Sequence, residues 1–406
     1  MDQKGEIQNS SNEEMGLKVG PIVLMPDIEK RHLATLFFGA FFGIASMAFV
    51  NVFNYSIFSA LELPEDQFGR LAGSLTAVQE VVVVSVIGFF GALSDKVGRR
   101  IVYSMGFFLL GIGYFIYPLA DNMTELLFFR IFVALGCAAN TVMLPTVAND
   151  YVHNSTRGRL IAFTSILNGL GLVLIISTFS NFATFYEQLE APAFLMNLGY
   201  DSANWAQYTF WSASAMVFIV SIVLYLNLKK GTAEATAKKD SYFSTLKVAI
   251  KEAKNPRVAL AYTAGIVSRG DLAVVSTFFA LWLGIEFQSL GMSKPEAQKM
   301  AALLYVAVQA CAIPGALFIN FFIDKFDRVV ALAISMAIAA TGYLYLGFID
   351  DVTGYEMYIG VGLLGLGEIF ANISAISLIG TVAPPKARGA VIGGFSFFGA
   401  VGIFLV

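Results

Sequence analysis

The chain has 406 residues and a formal net charge of −3, and 57% of its residues are hydrophobic while only 14% are charged. Its mean hydropathy is +0.70. A soluble domain of this length carries far more charged surface, so the composition excludes a soluble globular protein. The small net charge gives no indication of nucleic-acid binding. The sequence therefore predicts a protein that spans a membrane.

Residues that commonly hold metals or cofactors are scarce and scattered. Cys137 and Cys311 are the only cysteines, and each lies within an apolar run, where a cysteine is typically a small packing residue. His32 and His153 lie near the ends of separate segments. We therefore predict no disulfide, metal or cofactor, and the loops show no paired acids or nucleophile motif of an enzyme.

Eleven apolar segments follow a polar amino-terminal stretch. Residues 1–33 have no apolar core of signal-peptide type before Val19, so we expect a flexible cytoplasmic tail. Each later segment is long enough to cross a bilayer. Residues 34–228 hold six, residues 229–257 form a polar linker, and residues 258–406 hold five. The segments cover approximately residues 34–60, 71–93, 101–120, 126–148, 160–179, 208–226, 258–282, 300–323, 329–348, 357–379 and 390–406.

Basic residues mark one side of the membrane. Of the 26 lysines and arginines, 21 lie in the tail and in every second loop. The exceptions are Arg70, Lys294 and Lys299 in the opposite loops and Arg130 and Arg269 within apolar segments. Because loops rich in lysine and arginine stay on the cytoplasmic side, the alternation predicts a multi-pass protein of a cell membrane with a cytoplasmic amino terminus.

A charged turn, Gly91-Ala-Leu-Ser-Asp95-Lys-Val-Gly98-Arg99-Arg100, ends the second apolar segment. Gly91 and Asp95 share one helical face, so a helix can pack at the glycine while the carboxylate lies at the membrane surface. Gly98 permits a sharp turn. Arg99 and Arg100 offer forked donors to carboxylates or carbonyls of other helices. An ordinary basic loop is the alternative, but two glycines and an acid in fixed register favour a gate.

This decamer resembles the signature loop between the second and third helices of the major facilitator superfamily. The resemblance implies an all-α membrane protein whose two six-helix bundles rock about a central site. It also implies an ion pair between Arg99 and Asp150, at the end of the fourth helix. Asp95 would lie near the start of the eleventh helix, beside Arg388 and Gly389, where a carboxylate stabilises the positive helix end. Opening toward the cytoplasm would break these contacts.

Two other segments bear on the resemblance. Leu126, Arg130 and Gly136 resemble the fourth-helix motif of the superfamily, although Ala134 stands where its first glycine is usual. The fifth helix lacks the Gly-Pro pair of many drug antiporters. The sequence therefore favours the superfamily but not its drug-antiporter subgroup.

The second half repeats the first. Two unrelated pairs match at offsets of 229 and 231 positions: Asp95 and Arg99 with Asp324 and Arg328, and Arg157-Gly158 with Arg388-Gly389. Nearly equal offsets indicate a duplicated six-helix unit, the parallel repeat of this superfamily. A twelfth helix would then follow Val406, so we expect a truncated carboxyl terminus.

The linker changes character along its length. It begins as a charged stretch, and from Ser241 it becomes amphipathic. Phe243, Leu246 and Ile250 are spaced for one helical face, and three lysines occupy the other. We predict a helix along the inner membrane surface, which connects the halves rather than regulating them.

Five ionisable residues lie inside apolar segments, namely Glu80, Arg130, Arg269, Asp271 and Glu368. Such groups are costly in hydrocarbon and usually face a watery cavity. In the superfamily, helices 1, 4, 7 and 10 line the cavity, which places all five there except Glu80. We predict that Arg269 pairs with Glu368 and that Glu80, Asp271 or Glu368 exchanges a proton as the arginine moves. A static pair that fixes helix packing is the alternative.

Polar residues on the first helix are candidates for solute contact. Asn51, Asn54 and Tyr55 share one face by their spacing, and interhelical hydrogen bonding is the alternative role. Asn140 and Asn372 are weaker candidates of the same kind.

These patterns favour a monomeric secondary transporter that moves a small organic anion or zwitterion together with protons. Arginine and amide groups in the cavity suit such solutes. An exporter of amphipathic compounds is the second hypothesis. A non-transporting sensor or scaffold is the third, although such a protein would be expected to lose the buried charges and the gate motif.

Overall fold

The computed structural model describes residues 17–190, 196, 199–231, 242–323, 325–384 and 387–405. Ten helical spans in this part of the chain are long and apolar enough to cross a membrane, and Ala390–Phe404 is a shorter apolar helix. They coincide with the eleven apolar segments. Helices dominate because a spanning segment in lipid must satisfy its backbone hydrogen bonds internally. The predicted all-α membrane fold is confirmed.

Six spans form the first half of the molecule. The first consists of two helices that meet at Phe53. The helices are α1 (Lys30–Val52), α2 (Asn54–Ala60), α3 (Phe68–Val97), α4 (Arg99–Ile116), α5 (Met123–Tyr151), α6 (Arg157–Gln188) and α7 (Trp205–Asn227). A short hairpin of β1 (Lys18–Val19) and β2 (Ile22–Val23) precedes them.

The linker and the second half continue in the same manner. The linker contains the predicted amphipathic helix, α8 (Tyr242–Glu252). The following helices are α9 (Pro256–Ala273), α10 (Ala280–Ser289), α11 (Lys294–Ile323), α12 (Arg328–Leu346), α13 (Tyr355–Val382) and α14 (Arg388–Phe404). A π-helical segment, Val274–Phe279, joins α9 to α10 within one span.

The helices pack into two bundles that meet along defined seams. In the first bundle α1 packs on α6, α3 on α5, and α4 on both α5 and α7. In the second, α12 and α11 pack on α13, and α9 packs on α13 and α14. Between the bundles, α6 meets α11 and α3 meets α14, while the π segment contacts α1 and α3. Because π segments often mark functional sites, the α9–α10 span is a natural place for chemistry.

The membrane-spanning helices have two ends, which we name by the residues that lie there. The linker end carries Gly98, Asp150 and Lys229, and the far end carries Tyr55 and Gln288. At the linker end, α8 packs on α14. Ala249 is fully buried there, and its carbonyl accepts a hydrogen bond from the Tyr262 hydroxyl at 3.3 Å. The side chains of Phe243 and Leu246 lie outside the described residues.

Candidate functional site

The linker end of the first half holds a cluster of four residues that we call the latch: Ser94, Asp95, Arg99 and Asp150. Arg99 Nε donates a hydrogen bond to Asp150 Oδ2 at 2.9 Å, and Arg99 Nη1 donates to Asp95 Oδ1 at 2.5 Å. Arg99 Nη1 also donates to Ser94 Oγ. One guanidinium therefore joins the ends of α3, α4 and α5, which suits its planar fork of donors.

Gly98 makes the turn between α3 and α4. Its φ of +99° belongs to a region that residues with a side chain avoid. A Cβ at this position would lie 2.8 Å from the Gly231 carbonyl oxygen, whereas a Cβ at Gly91 would meet only Val142 Cγ1 at 3.8 Å. The turn therefore requires glycine, while close packing at Gly91 does not.

We expect Gly98→Ala to lower the stability of the purified protein by about 1–3 kcal/mol, because the strained backbone and the clash with the linker carbonyl act together. The measurement is thermal unfolding in detergent. Gly91→Ala is the matched control and should remain within about 0.5 kcal/mol of the native chain. Equal losses in the two variants would contradict the role assigned to the turn.

The other basic residues of the two motifs also reach neighbouring helices. The Arg100 guanidinium lies 4.7 Å from the centre of the Tyr225 ring, and its Nη1 donates to the Tyr225 carbonyl at 3.0 Å. In the second half Arg328 Nη1 donates to Ser377 Oγ on α13, which is the counterpart of the contact from Arg99 to α5. Asp324 and the side chain of Arg388 lie outside the described residues.

A polar cluster lies within the first half, around a fully buried Arg130. Arg130 Nη2 donates to Asn51 Oδ1, and Nη1 donates to the Tyr117 hydroxyl at 3.5 Å. The Tyr117 hydroxyl donates in turn to Asn54 Oδ1 at 3.5 Å. No carboxylate of the described residues lies within 4.0 Å of this guanidinium, and its Nε has no partner. In the described part of the first half, the buried positive charge of Arg130 is therefore contacted by neutral groups alone.

A second cluster, in the second half, contains two buried carboxylates. Asp271 on α9 accepts a hydrogen bond from the Tyr343 hydroxyl through Oδ1, while its Oδ2 has no partner. Glu368 on α13 accepts from Gln309 Nε2 on α11 through both oxygens, at 3.2 and 3.3 Å. No described cation lies within 4.0 Å of either carboxylate.

Arg269 does not form the expected pair with Glu368. A Cβ at Gly399 would lie 2.8 Å from Arg269 Cγ, so the arginine stem runs along α14. Arg269 and Asp271 are two residues apart and point about 200° from each other, which turns the arginine away from the carboxylate cluster. Its charge instead acts on Glu80 of α3, across the seam between the halves, where Arg130 also contributes.

The far end joins the two halves through several hydrogen bonds. Gln298 is fully buried; its Nε2 donates to the Val52 carbonyl at 3.1 Å, and its Oε1 accepts from the Ser56 N–H at 3.1 Å. The Tyr55 hydroxyl donates to Gln288 Oε1. Further bonds run from Lys294 Nζ to the Ser59 carbonyl at 3.0 Å, from Gln288 Nε2 to Glu65 Oε1 at 3.2 Å and from Ser293 Oγ to Glu187 Oε2 at 3.1 Å.

The predicted cavity residues therefore have different surroundings. Asn51 and Asn54 belong to the Arg130 cluster, and Tyr55 belongs to the far-end contacts. Asn140 is buried against α4, since a Cβ at Gly106 would lie 2.2 Å from its Oδ1. Asn372 is half-buried on α13.

Sequence reasoning missed four residues that the structure brings to these sites: Tyr117, Gln298, Gln309 and Tyr343. Glutamine within or beside a long apolar run is a usable signal, and it would have found Gln298 and Gln309. Nothing in the sequence separates the two tyrosines from the other tyrosines among the 16 in the chain. Within the described residues, no group of three or more histidine, cysteine, aspartate or glutamate side chains could hold a metal ion.

Two helical bundles that bury charged clusters between membrane-spanning helices define a multi-pass membrane protein of the transporter class. A sequence model of the Major Facilitator Superfamily matches residues 35–406. The chain belongs to this family. It is therefore a secondary transporter by family and not an enzyme.

Known relatives support this family at low identity. Magnetosome protein MamH of Paramagnetospirillum magneticum is 24% identical over 353 residues, which are 85% of this chain and 77% of that protein. Magnetosome protein MamZ of the same organism is 22% identical, and the match covers 83% of this chain but 51% of MamZ. The chain thus spans about half the length of that second relative.

Among solved structures, the nucleoside transporter NupG superposes with a TM-score of 0.72 at 13% identity. The superposition covers 93% of this chain and 89% of NupG. At this identity, the likeness shows the fold alone.

Proposed function

We propose that the protein moves a small organic anion or zwitterion by alternating access and couples this movement to protons. The observation that carries the proposal is the buried Arg130, whose guanidinium has only neutral hydrogen-bond partners among the residues that the structure describes. A buried charge is costly unless it is paired, so a solute carboxylate or phosphate would supply the missing partner. Asn51 and Tyr117 orient the guanidinium for such a partner.

The carboxylates of the second half are the sites proposed for proton exchange. Asp271 and Glu368 are buried, and the hydrogen-bond partners found for them among the described residues are the neutral side chains of Tyr343 and Gln309. A proton taken up by either group removes the cost of one buried charge. When rocking exposes the pair to water, the cost of a second charge falls and the proton is released. Glu80, at the seam beside Arg269, is a third candidate.

The latch and the far-end contacts support two alternative closures. The far-end bonds tie the halves together on one side, while the latch, whose residues all belong to the first half, lies at the other end. We propose that this other end is cytoplasmic, because its loops are rich in lysine and arginine. Opening at the far end would require the bonds of Gln298 and Tyr55 to break. We propose that the binding of solute and protons shifts the equilibrium between a conformation closed at the far end and a conformation closed at the linker end.

The experiment that tests the proposed substrate class is a thermal-shift screen of the purified full-length chain against metabolites, followed by uptake into proteoliposomes. A bound solute stabilises the protein by mass action. Anionic or zwitterionic hits that are also taken up, faster with a pH gradient, are the expected result. Stabilisation and uptake confined to cationic or amphipathic neutral compounds would contradict the proposal and favour the exporter hypothesis.

We expect Gln298→Leu to open the far end. The substitution removes the side-chain partner of one buried N–H and one buried carbonyl, and each costs about 1–3 kcal/mol when unpaired. The population with an open far end should rise by roughly tenfold or more. Modification of a cysteine introduced beside α2 measures this change. Gln67→Leu, at an exposed position near the same end, is the control. Equal modification rates in both variants would contradict a closing role for Gln298.

A further inference from the structure

The segment before the first helix, residues 17–29, forms an ordered structure that the transport proposal does not use. We call it the strap. β1 and β2 pair through a turn at Gly20, whose φ is +56°. The Leu24 N–H donates to the Leu17 carbonyl at 3.0 Å. Ile22 and Leu24 are buried, so the strap packs against the bundle.

The strap pairs with the loop between α5 and α6 through one antiparallel bridge, between Leu24 and Val152. The Met25 N–H donates to the Tyr151 carbonyl at 2.9 Å, and the His153 N–H donates to the Val23 carbonyl at 3.0 Å. Thr156 Oγ1 accepts from the Val23 N–H at 3.1 Å and lies 3.3 Å from the Val23 carbonyl. Such main-chain pairing fixes the register between two segments that are more than 120 residues apart, as the sequence numbers show.

The start of the linker, at Lys229, contacts both the strap and the end of α5. The Lys229 N–H donates to the Tyr151 hydroxyl at 3.1 Å, and Lys229 Nζ lies 3.4 Å from Asp27 Oδ2 of the strap. The next residues of the linker bring the Gly231 carbonyl to Gly98 of the latch turn. Tyr151 therefore contacts both the strap and the linker.

Tyr151 follows Asp150 directly, and Asp150 is the latch carboxylate that accepts from Arg99. The end of α5 would otherwise be free to fray, because the last turn of a helix lacks intrahelical partners for its carbonyls. The strap supplies one such partner, the Met25 N–H, at the residue after Asp150. It thereby restrains the backbone that carries the latch.

We propose that the strap is a positioning element for the latch: by holding Tyr151 and the linker origin together, it keeps Asp150 in reach of Arg99 and sets how often the linker end opens. The proposal rests on the alternating-access function proposed above. Thr156 is its positioning residue, since its hydroxyl bonds the strap and touches neither latch nor polar cluster.

The test compares three variants of the full-length chain: Thr156→Val, which removes the hydroxyl with little change of shape, Thr156→Ser, which restores it, and Ser155→Ala as a neighbouring control. Spin labels at Lys96→Cys and Val330→Cys, with both native cysteines replaced by alanine, report the distance between the halves at the linker end. Both label positions are exposed.

We expect Thr156→Val to raise the population with long distances by roughly three- to tenfold, the amount that about one hydrogen bond supplies. Thr156→Ser and Ser155→Ala should keep the native distribution. Deletion of residues 2–25 should produce the same shift or a larger one. A native distribution in both Thr156→Val and the deletion would overturn the proposal. A lower melting temperature without a changed distribution would also overturn it, because a purely structural role would do only that.

The outcome for the strap can be separated from that for transport. If the native chain shows one distance population that no solute or pH change alters, the alternating-access function fails. If the native chain switches but the strap variants behave as it does, only the strap proposal fails.

Discussion

Replacing Arg130 with glutamine is expected to abolish uptake of an anionic solute and to remove the stabilisation that this solute gives to the native chain. The side chain is fully buried, and a buried charge pair is worth about 3–5 kcal/mol when one partner is removed. This range corresponds to a loss of affinity of roughly a hundredfold to several thousandfold. Solute-dependent thermal shift and proteoliposome uptake are the two measurements.

Two further variants sharpen this prediction. Arg130→Lys keeps the charge but cannot hold Asn51 and the solute with one planar fork, so it should recover only a small part of the affinity. Arg70→Gln removes an exposed arginine at the far end and should leave binding unchanged. Native affinity in Arg130→Gln would show that the solute binds elsewhere.

Neutralising a carboxylate of the second-half cluster is expected to make uptake independent of a pH gradient. In Glu368→Gln, the side-chain amide cannot take up or release a proton, and the negative charge at this buried position is lost. Net uptake should lose its dependence on a pH gradient, while exchange of labelled solute for unlabelled solute continues. Uptake with and without a gradient, measured beside exchange, gives the result.

Asp271→Asn and Glu80→Gln complete the series. Asp271→Asn should behave as Glu368→Gln does, because the two carboxylates share one proton in the proposed cycle. Glu80 is half-buried at the seam beside Arg269, so Glu80→Gln should alter the opening of the halves more than the coupling. Unchanged gradient dependence in all three variants would reject a proton role for these groups.

The latch and the far-end bonds differ in how they respond to substitution. Arg99 forms ion pairs with two carboxylates that are each about one-third exposed, 32% for Asp95 and 31% for Asp150. Solvent therefore screens part of their attraction. Gln298 forms neutral bonds in a fully buried site, where an unmade hydrogen bond costs more. Salt should weaken the latch more than the far end.

The helical segments and the duplication could be predicted from the amino-acid pattern alone. Long apolar runs specify membrane helices, since lipid leaves the backbone no other partner than itself. The resemblance of residues 91–100 implied the bond from Arg99 to Asp150, and the structure contains it at 2.9 Å. The opposite directions of Arg269 and Asp271 also followed from spacing along one helix.

Which side chains meet across helices could not be predicted in this way. Helical periodicity fixes the direction of a residue around its own axis, but the partner depends on how neighbouring helices pack. For this reason Glu368 binds Gln309 rather than Arg269, and Tyr55 reaches Gln288 in the other half. The sequence predicts a flexible tail over residues 1–33, but residues 17–29 are ordered. This short segment has little structure of its own, and its order comes from pairing with the distant loop between α5 and α6.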